Sequence, residues 1–175
     1  MHPLFLLLRL LGPAWLAPGV LSAALVAPHR EPEITGAYED EGAIAVAPPG
    51  EPPPVVSLHA LLTVQFIPGV ARLLHEQTGE VRLTHTAGRL RAEITNRDGE
   101  VAWERIWRQG EDYGVQGARV VLRFKGVRPH DDDFLLLLET VTAYKLLQVE
   151  VQRLTPTLLG PRARPMGTYL FHRTE

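Results

Sequence analysis

Between Arg89 and Lys125 the chain runs through three segments in which charged and apolar residues alternate, and this period of two dominates what the whole can become. In Arg89-Leu90-Arg91-Ala92-Glu93-Ile94-Thr95 the alternation places Leu90, Ala92 and Ile94 on one face of a half-buried strand. Asn96-Arg97-Asp98-Gly99 follows as a turn, because Asp-Gly accepts the positive φ angles of a tight hairpin. Val101 to Arg108 is therefore expected to fold back antiparallel, with Val101, Trp103 and Trp107 on one face, Arg105 between them, and Ala102 and Ile106 on the other. After a turn at Gly110 to Gly114, Arg119 to Lys125 sets Val120, Leu122 and Phe124 against Val121, Arg123 and Lys125.

The flanking segments extend the same meander. Glu80 to Thr86 carries Val81, Leu83 and His85 on one face. Phe134 to Leu138 is apolar on both faces, as in a strand covered from both sides. Tyr144 to Leu154 alternates Leu147, Val149 and Val151 with Gln148, Glu150 and Gln152, and Gly167 to His172 makes a last strand. Upstream, Ile34 to Tyr38 and Gly42 to Val46 are expected to pair with each other across an acidic turn. The fold class is mainly β: an antiparallel meander closing as a small barrel or sandwich of about eight strands.

Between that first hairpin and the rest lie one or two short helices. Ser57 is a good N-cap for a turn carrying Leu58, Leu61 and Leu62, and Pro68-Gly69 ends it. A second turn spans Val70 to Gln77, and a strand from Leu61 to Ile67 is the alternative. Five prolines in the seven residues from Pro48 to Pro54 read as a stiff extended connector.

Residues 1 to 24 have the composition of an export signal, with cleavage expected after Ala24 in Ser22-Ala23-Ala24. An uncleaved anchor is the alternative, since the uncharged run from Leu10 to Pro28 approaches the roughly 20 residues that span a bilayer. Residues 25 to 54 then form an acidic, Pro-rich segment that includes the first hairpin. Residues 55 to 175 supply the helices and the meander, in one domain with 34 to 46. Export places the chain in the periplasm or outside the cell.

Composition excludes several functions. The net charge of −2 at pH 7 leaves no basic footprint for a nucleic acid. There is no cysteine, hence no disulfide, thiolate metal site or cysteine nucleophile. Serine occurs only at Ser22 and Ser57, and Ser57 lacks a Gly-x-Ser-x-Gly context. Outward charges such as Arg89, Arg91, Glu93 and Glu150 argue against an outer-membrane barrel, whose outward face is apolar.

The remaining polar groups read chiefly as structure. His130-Asp131-Asp132-Asp133 fails the calcium-loop pattern, because Leu136 and Thr142 stand where glycine and glutamate are required. His85 has no histidine at metal-ligand spacing. Glu139 follows four leucines, so a buried carboxylate of raised pKa is one reading. It would serve a carboxylate-based hydrolase only with a second acid nearby, such as Glu104 or Glu150.

Gly36-Ala37-Tyr38 near the start of the mature chain, the meander after it, and the closing Gly167-Thr168-Tyr169-Leu170-Phe171 together resemble small exported bacterial barrels of lipocalin-like type. They are also similar to exported, lipoprotein-like bacterial proteins that begin with a Gly-x-Tyr strand. The lipocalin pattern carries tryptophan where this chain has Tyr38. The resemblance implies a barrel open at one end that holds an apolar ligand, lined by Tyr38, Trp103, Trp107 and Phe124.

The expectation is a non-enzymatic binding or envelope-associated module, with a small apolar ligand or an envelope protein as partner. It involves no nucleic acid, no metal and no cofactor, and meets a membrane only through an uncleaved leader. A structural or partner-binding domain with a solid core is the alternative, because Trp103 and Trp107 fill a core as readily as they line a cavity.

Overall fold

The computed structural model describes residues 32–47, 56–66, 78–126, 131–141, 143 and 145–175. The expected leader, the proline-rich connector, the Val70 to Gln77 turn and His130 lie outside the described residues.

Eleven strands and one short helix are present among the described residues: β1 Gly36–Glu39, β2 Glu41–Val46, β3 Val56–Ser57, α1 Leu58–Leu62, β4 Thr78–Thr86, β5 Arg89–Asn96, β6 Val101–Arg108, β7 Tyr113–Gln116, β8 Arg119–Phe124, β9 Asp133–Val141, β10 Leu146–Thr155 and β11 Arg162–His172. They form two antiparallel sheets, one in the order β1-β4-β5-β6 and one in the order β3-β2-β11-β10-β9-β8-β7. The strand count exceeds the expected eight or so because β3 is two residues long and β7 sits in the Gly-rich stretch that reads as a turn.

The central hairpin follows its sequence signals. Leu90 pairs with Trp107 and Ile94 with Trp103, and Leu90, Ala92 and Ile94 are wholly buried. Gly99 turns the hairpin at φ 81°, a left-handed conformation that glycine adopts without strain. Asn96 Oδ1 accepts from the backbone N–H of both Asp98 and Glu100 and fixes the loop. Alternation holds in the second sheet too: Leu147, Val149 and Val151 are buried while Gln148, Glu150 and Gln152 are half-buried.

The expected first hairpin does not form. β1 pairs with β4, and β2 pairs with β11 and β3, so the chain changes sheets at Asp40. Alternation assigns a face to each of these segments but does not choose a neighbour, and a single residue between them is too short for a hairpin loop.

Nor does the barrel close. The sheets meet on one side where Tyr38 bridges to Arg173 and the Thr174 N–H donates to the Ala37 carbonyl at 2.8 Å. On the other side the chain leaves β6 through a tight corner, with Gly110 N–H on the Tyr113 carbonyl at 2.8 Å, and enters the second sheet as β7. Among the described residues β6 pairs only with β5, and it is the terminal strand of its sheet. The two sheets nevertheless share one apolar core, to which Leu83, Ile94, Leu122, Leu138, Val149 and Phe171 all contribute.

Of the expected helices, α1 is present and the alternative strand from Leu61 is not. Ser57 caps it, accepting from the Ala60 N–H at 3.2 Å, and Leu58, Leu61 and Leu62 are buried.

Gly42 on β2 lies directly against the wholly buried Phe171 ring, and a Cβ at this position would collide with its Cε1. Gly42→Ala is therefore expected to lower stability by about 1–3 kcal/mol, the usual cost of overpacking. The midpoint of urea unfolding measures it, and an unchanged midpoint would show that the ring moves aside freely.

Candidate functional site

The four expected lining residues have different fates. Tyr38 is wholly buried, its hydroxyl donating to the Ile34 carbonyl at 2.8 Å. Burial pushes its pKa up to about 12, against the opposing pull of the Arg173 charge. Phe124, on β8 of the other sheet, is buried as well. Trp107 is 1% exposed and belongs to the same core, whereas Trp103 is half-buried at its edge. Only the two tryptophans are brought ring to ring, with centroids 6.2 Å apart and planes tilted by 55°.

Both lie on the inward face of β6, and between them in sequence stands Arg105, paired with the buried Ala92 of β5. Its guanidinium carbon sits 5.3 Å from the Trp107 ring centroid, a cation–π arrangement. Arg105 is exposed and meets no carboxylate among the described residues. The Trp107 Nε1–H is buried and has no acceptor among them. Because β6 is a terminal strand, this inward row of indole, guanidinium and indole is reached from the sheet edge. The alternation around Arg105 already placed it inward; its role was hidden because a charge in that position ordinarily signals a strand turned the other way.

A second polar group was not foreseen. Asp40, at the corner between β1 and β2, meets Ser57 and His59 at the start of α1. The Ser57 hydroxyl donates to the Asp40 carboxylate, 3.0 Å from each oxygen, and Asp40 also accepts from the His59 N–H at 2.8 Å. His59 Nδ1 lies 2.7 Å from Asp40 Oδ2 and 2.5 Å from Ser57 Oγ.

These are the residue types of a serine nucleophile and its base, yet the arrangement is not a relay. In such a relay the acid orients one ring nitrogen while the opposite nitrogen takes the serine proton. Here one nitrogen faces both partners, and the serine oxygen is occupied as the helix cap. The cluster is a latch that ties the β1–β2 corner to α1. Burial pushes the Asp40 carboxyl upward, but the hydrogen bonds and charge of His59 together with the Ser57 hydroxyl outweigh it and hold the pKa below 3.8.

The other sequence candidates are ion-paired or hydrogen-bonded. Glu139 accepts from Arg119 Nε at 2.5 Å, half-buried at the end of β9, while Glu104 is bound to Arg91 and Glu150 to Gln152. Asp132 pairs with Arg153, and Asp133 with Arg123 at 2.7 Å. His85 Nε2 lies 3.1 Å from the Tyr113 hydroxyl. Among the described residues no group of three or more His, Asp or Glu side chains could hold a metal ion, and no helix is long and apolar enough to cross a membrane. No family model, curated protein or solved structure matches this chain.

Proposed function

We propose that the chain is an exported, non-catalytic binding module that takes an amphiphilic anion at the open edge of β6. The observation that carries this reading is the Trp103-Arg105-Trp107 row: a guanidinium stacked on a buried indole, where among the described residues the guanidinium meets no carboxylate and the indole N–H meets no acceptor. An apolar chain would lie along Trp103, and its carboxylate would satisfy Arg105. Charge-assisted bonds of that kind are the stronger ones, and the aromatic pair supplies apolar area. The leader composition supports export, and the resemblance to lipocalin-like exported barrels supports a binding role, although here the recognition surface is an edge and not a central cavity.

The test is tryptophan emission during titration with dodecanoate. A saturable blue shift that is weakened at least tenfold in Arg105→Gln and loses its reporter in Trp103→Phe is the expected result. A response that is the same in Arg105→Gln would overturn the assignment of the anion.

A second reading is favoured by one observation. Val101 and Ile106 on the same terminal strand are 53% and 51% exposed, as they would be where an extended segment of a partner protein adds to the sheet. In that case dodecanoate leaves the emission unchanged, and the packed Tyr38, Trp107 and Phe124 serve a solid core.

A further inference from the structure

A separate site is formed on the opposite face of the same hairpin. At the corner after β6, a cleft of about 370 Å³ is lined by Arg89, Ile106, Arg108, Glu111 and Asp112. Arg89 and Arg108 are directly opposed across β5 and β6, flanking the buried Leu90–Trp107 pair, so both point outward. Two like charges directly across a strand pair repel each other and weaken the sheet.

The same two strands show how such a conflict is resolved internally. Glu93 and Glu104 are also directly opposed, and Arg91 bridges them at 2.9 and 2.8 Å. The arginine pair has no equivalent bridge among the described residues. Arg89 meets no carboxylate among the described residues, and Arg108 reaches only Glu111, at 3.7 Å, with both side chains about 70% exposed. Asp112 is engaged elsewhere, accepting the Arg108 backbone N–H at 2.8 Å. Ile106, half exposed, lies beside the pair as an apolar floor.

We propose that this cleft binds a small organic anion with a short apolar tail, its carboxylate or phosphate bridging Arg89 and Arg108 and its tail resting on Ile106. The anion does for the arginines what Arg91 does for the glutamates, and planar guanidinium groups suit either oxyanion. Glu111 is then a competitor: its loose contact with Arg108 is the one that the ligand displaces. This site is independent of the inward row of β6, and its ligand need not be long enough to reach that row.

The experiment is a titration of the full chain followed by the Ile106 methyl and arginine Nε–H resonances, with hexanoate, hexyl phosphate and hexylammonium as probes. Hexanoate or hexyl phosphate is expected to shift both resonances saturably, and the tighter of the two identifies the head group. Hexylammonium, with the same tail and opposite charge, is expected to leave them unmoved. Arg89→Gln is expected to weaken binding at least tenfold, and Glu111→Gln to tighten it severalfold. Both positions are exposed, where substitutions cost little stability, and the opposite signs separate recognition from general damage. Equal shifts with hexylammonium, no shift with either anion, or an affinity indifferent to Arg89→Gln would each overturn the proposal.

Discussion

Truncating Trp107 to alanine is expected to destabilise the protein by about 3–5 kcal/mol, while Trp107→Phe is expected to change stability by less than about 1 kcal/mol. Trp107 is the largest fully buried side chain of the core, and alanine would leave a cavity against Leu90, its partner across β5. It would also remove the ring on which the Arg105 guanidinium rests. Phenylalanine keeps most of that ring and deletes the buried Nε1–H that has no acceptor among the described residues. An unsatisfied buried donor costs about 1–3 kcal/mol, so its removal offsets the volume lost. Urea unfolding of the two variants checks the contrast. Should phenylalanine prove as damaging as alanine, the indole N–H must be satisfied in solution by a water or ligand acceptor, which would draw Trp107 itself into the binding edge.

The same strand shows how far residue order alone can be read. A period of two tells which side chains share a face, and on that ground Leu90, Ala92 and Ile94, then Val120, Leu122 and Phe124, then Leu147, Val149 and Val151 were all legible as inward rows; all nine are buried. Asp98-Gly99 marked its own turn for an equally local reason. What periodicity lacks is any statement of which strand lies alongside. Gly36 to Glu39 binds β4, more than forty residues away, and the nearby Glu41 to Val46 crosses to β11. Closure of a barrel depends on such distant edges meeting, and the corner at Gln109 to Asp112 leads the chain off β6, which no further strand joins among the described residues.

Site chemistry divides along the same line. Trp103 and Trp107 were visible as a pair because they are four residues apart on one strand, where the backbone alone separates them by about 13 Å; that their rings lean together to 6.2 Å depends on packing. Ser57 was visible as a helix cap, since capping involves only the next few residues. Its second partner Asp40 is seventeen residues upstream and reaches it only because β1 and β2 part company at that corner.

That partnership leads to the second large effect. Asp40→Ala is expected to lower stability by about 1.5–3 kcal/mol, the range for hydrogen bonds to a charged acceptor, because the Ser57 hydroxyl, the His59 N–H and the His59 ring all lose it together. The helix start would loosen, and with it the burial of Leu58, Leu61 and Leu62. Asp40→Asn keeps the shape without the charge, so comparing it with the native chain isolates the carboxylate. Since the native pKa lies below the ordinary 3.8, the ionised form is favoured by folding. The native chain's advantage over Asp40→Asn is therefore fully present above pH 3.8 and is lost as pH falls through the lower native pKa. Urea midpoints for both proteins between neutral pH and pH 2 measure the difference directly. A gap that stays constant across that acid range would mean that His59 and Ser57 hold the carboxyl by shape alone, and the latch would then owe nothing to its charge.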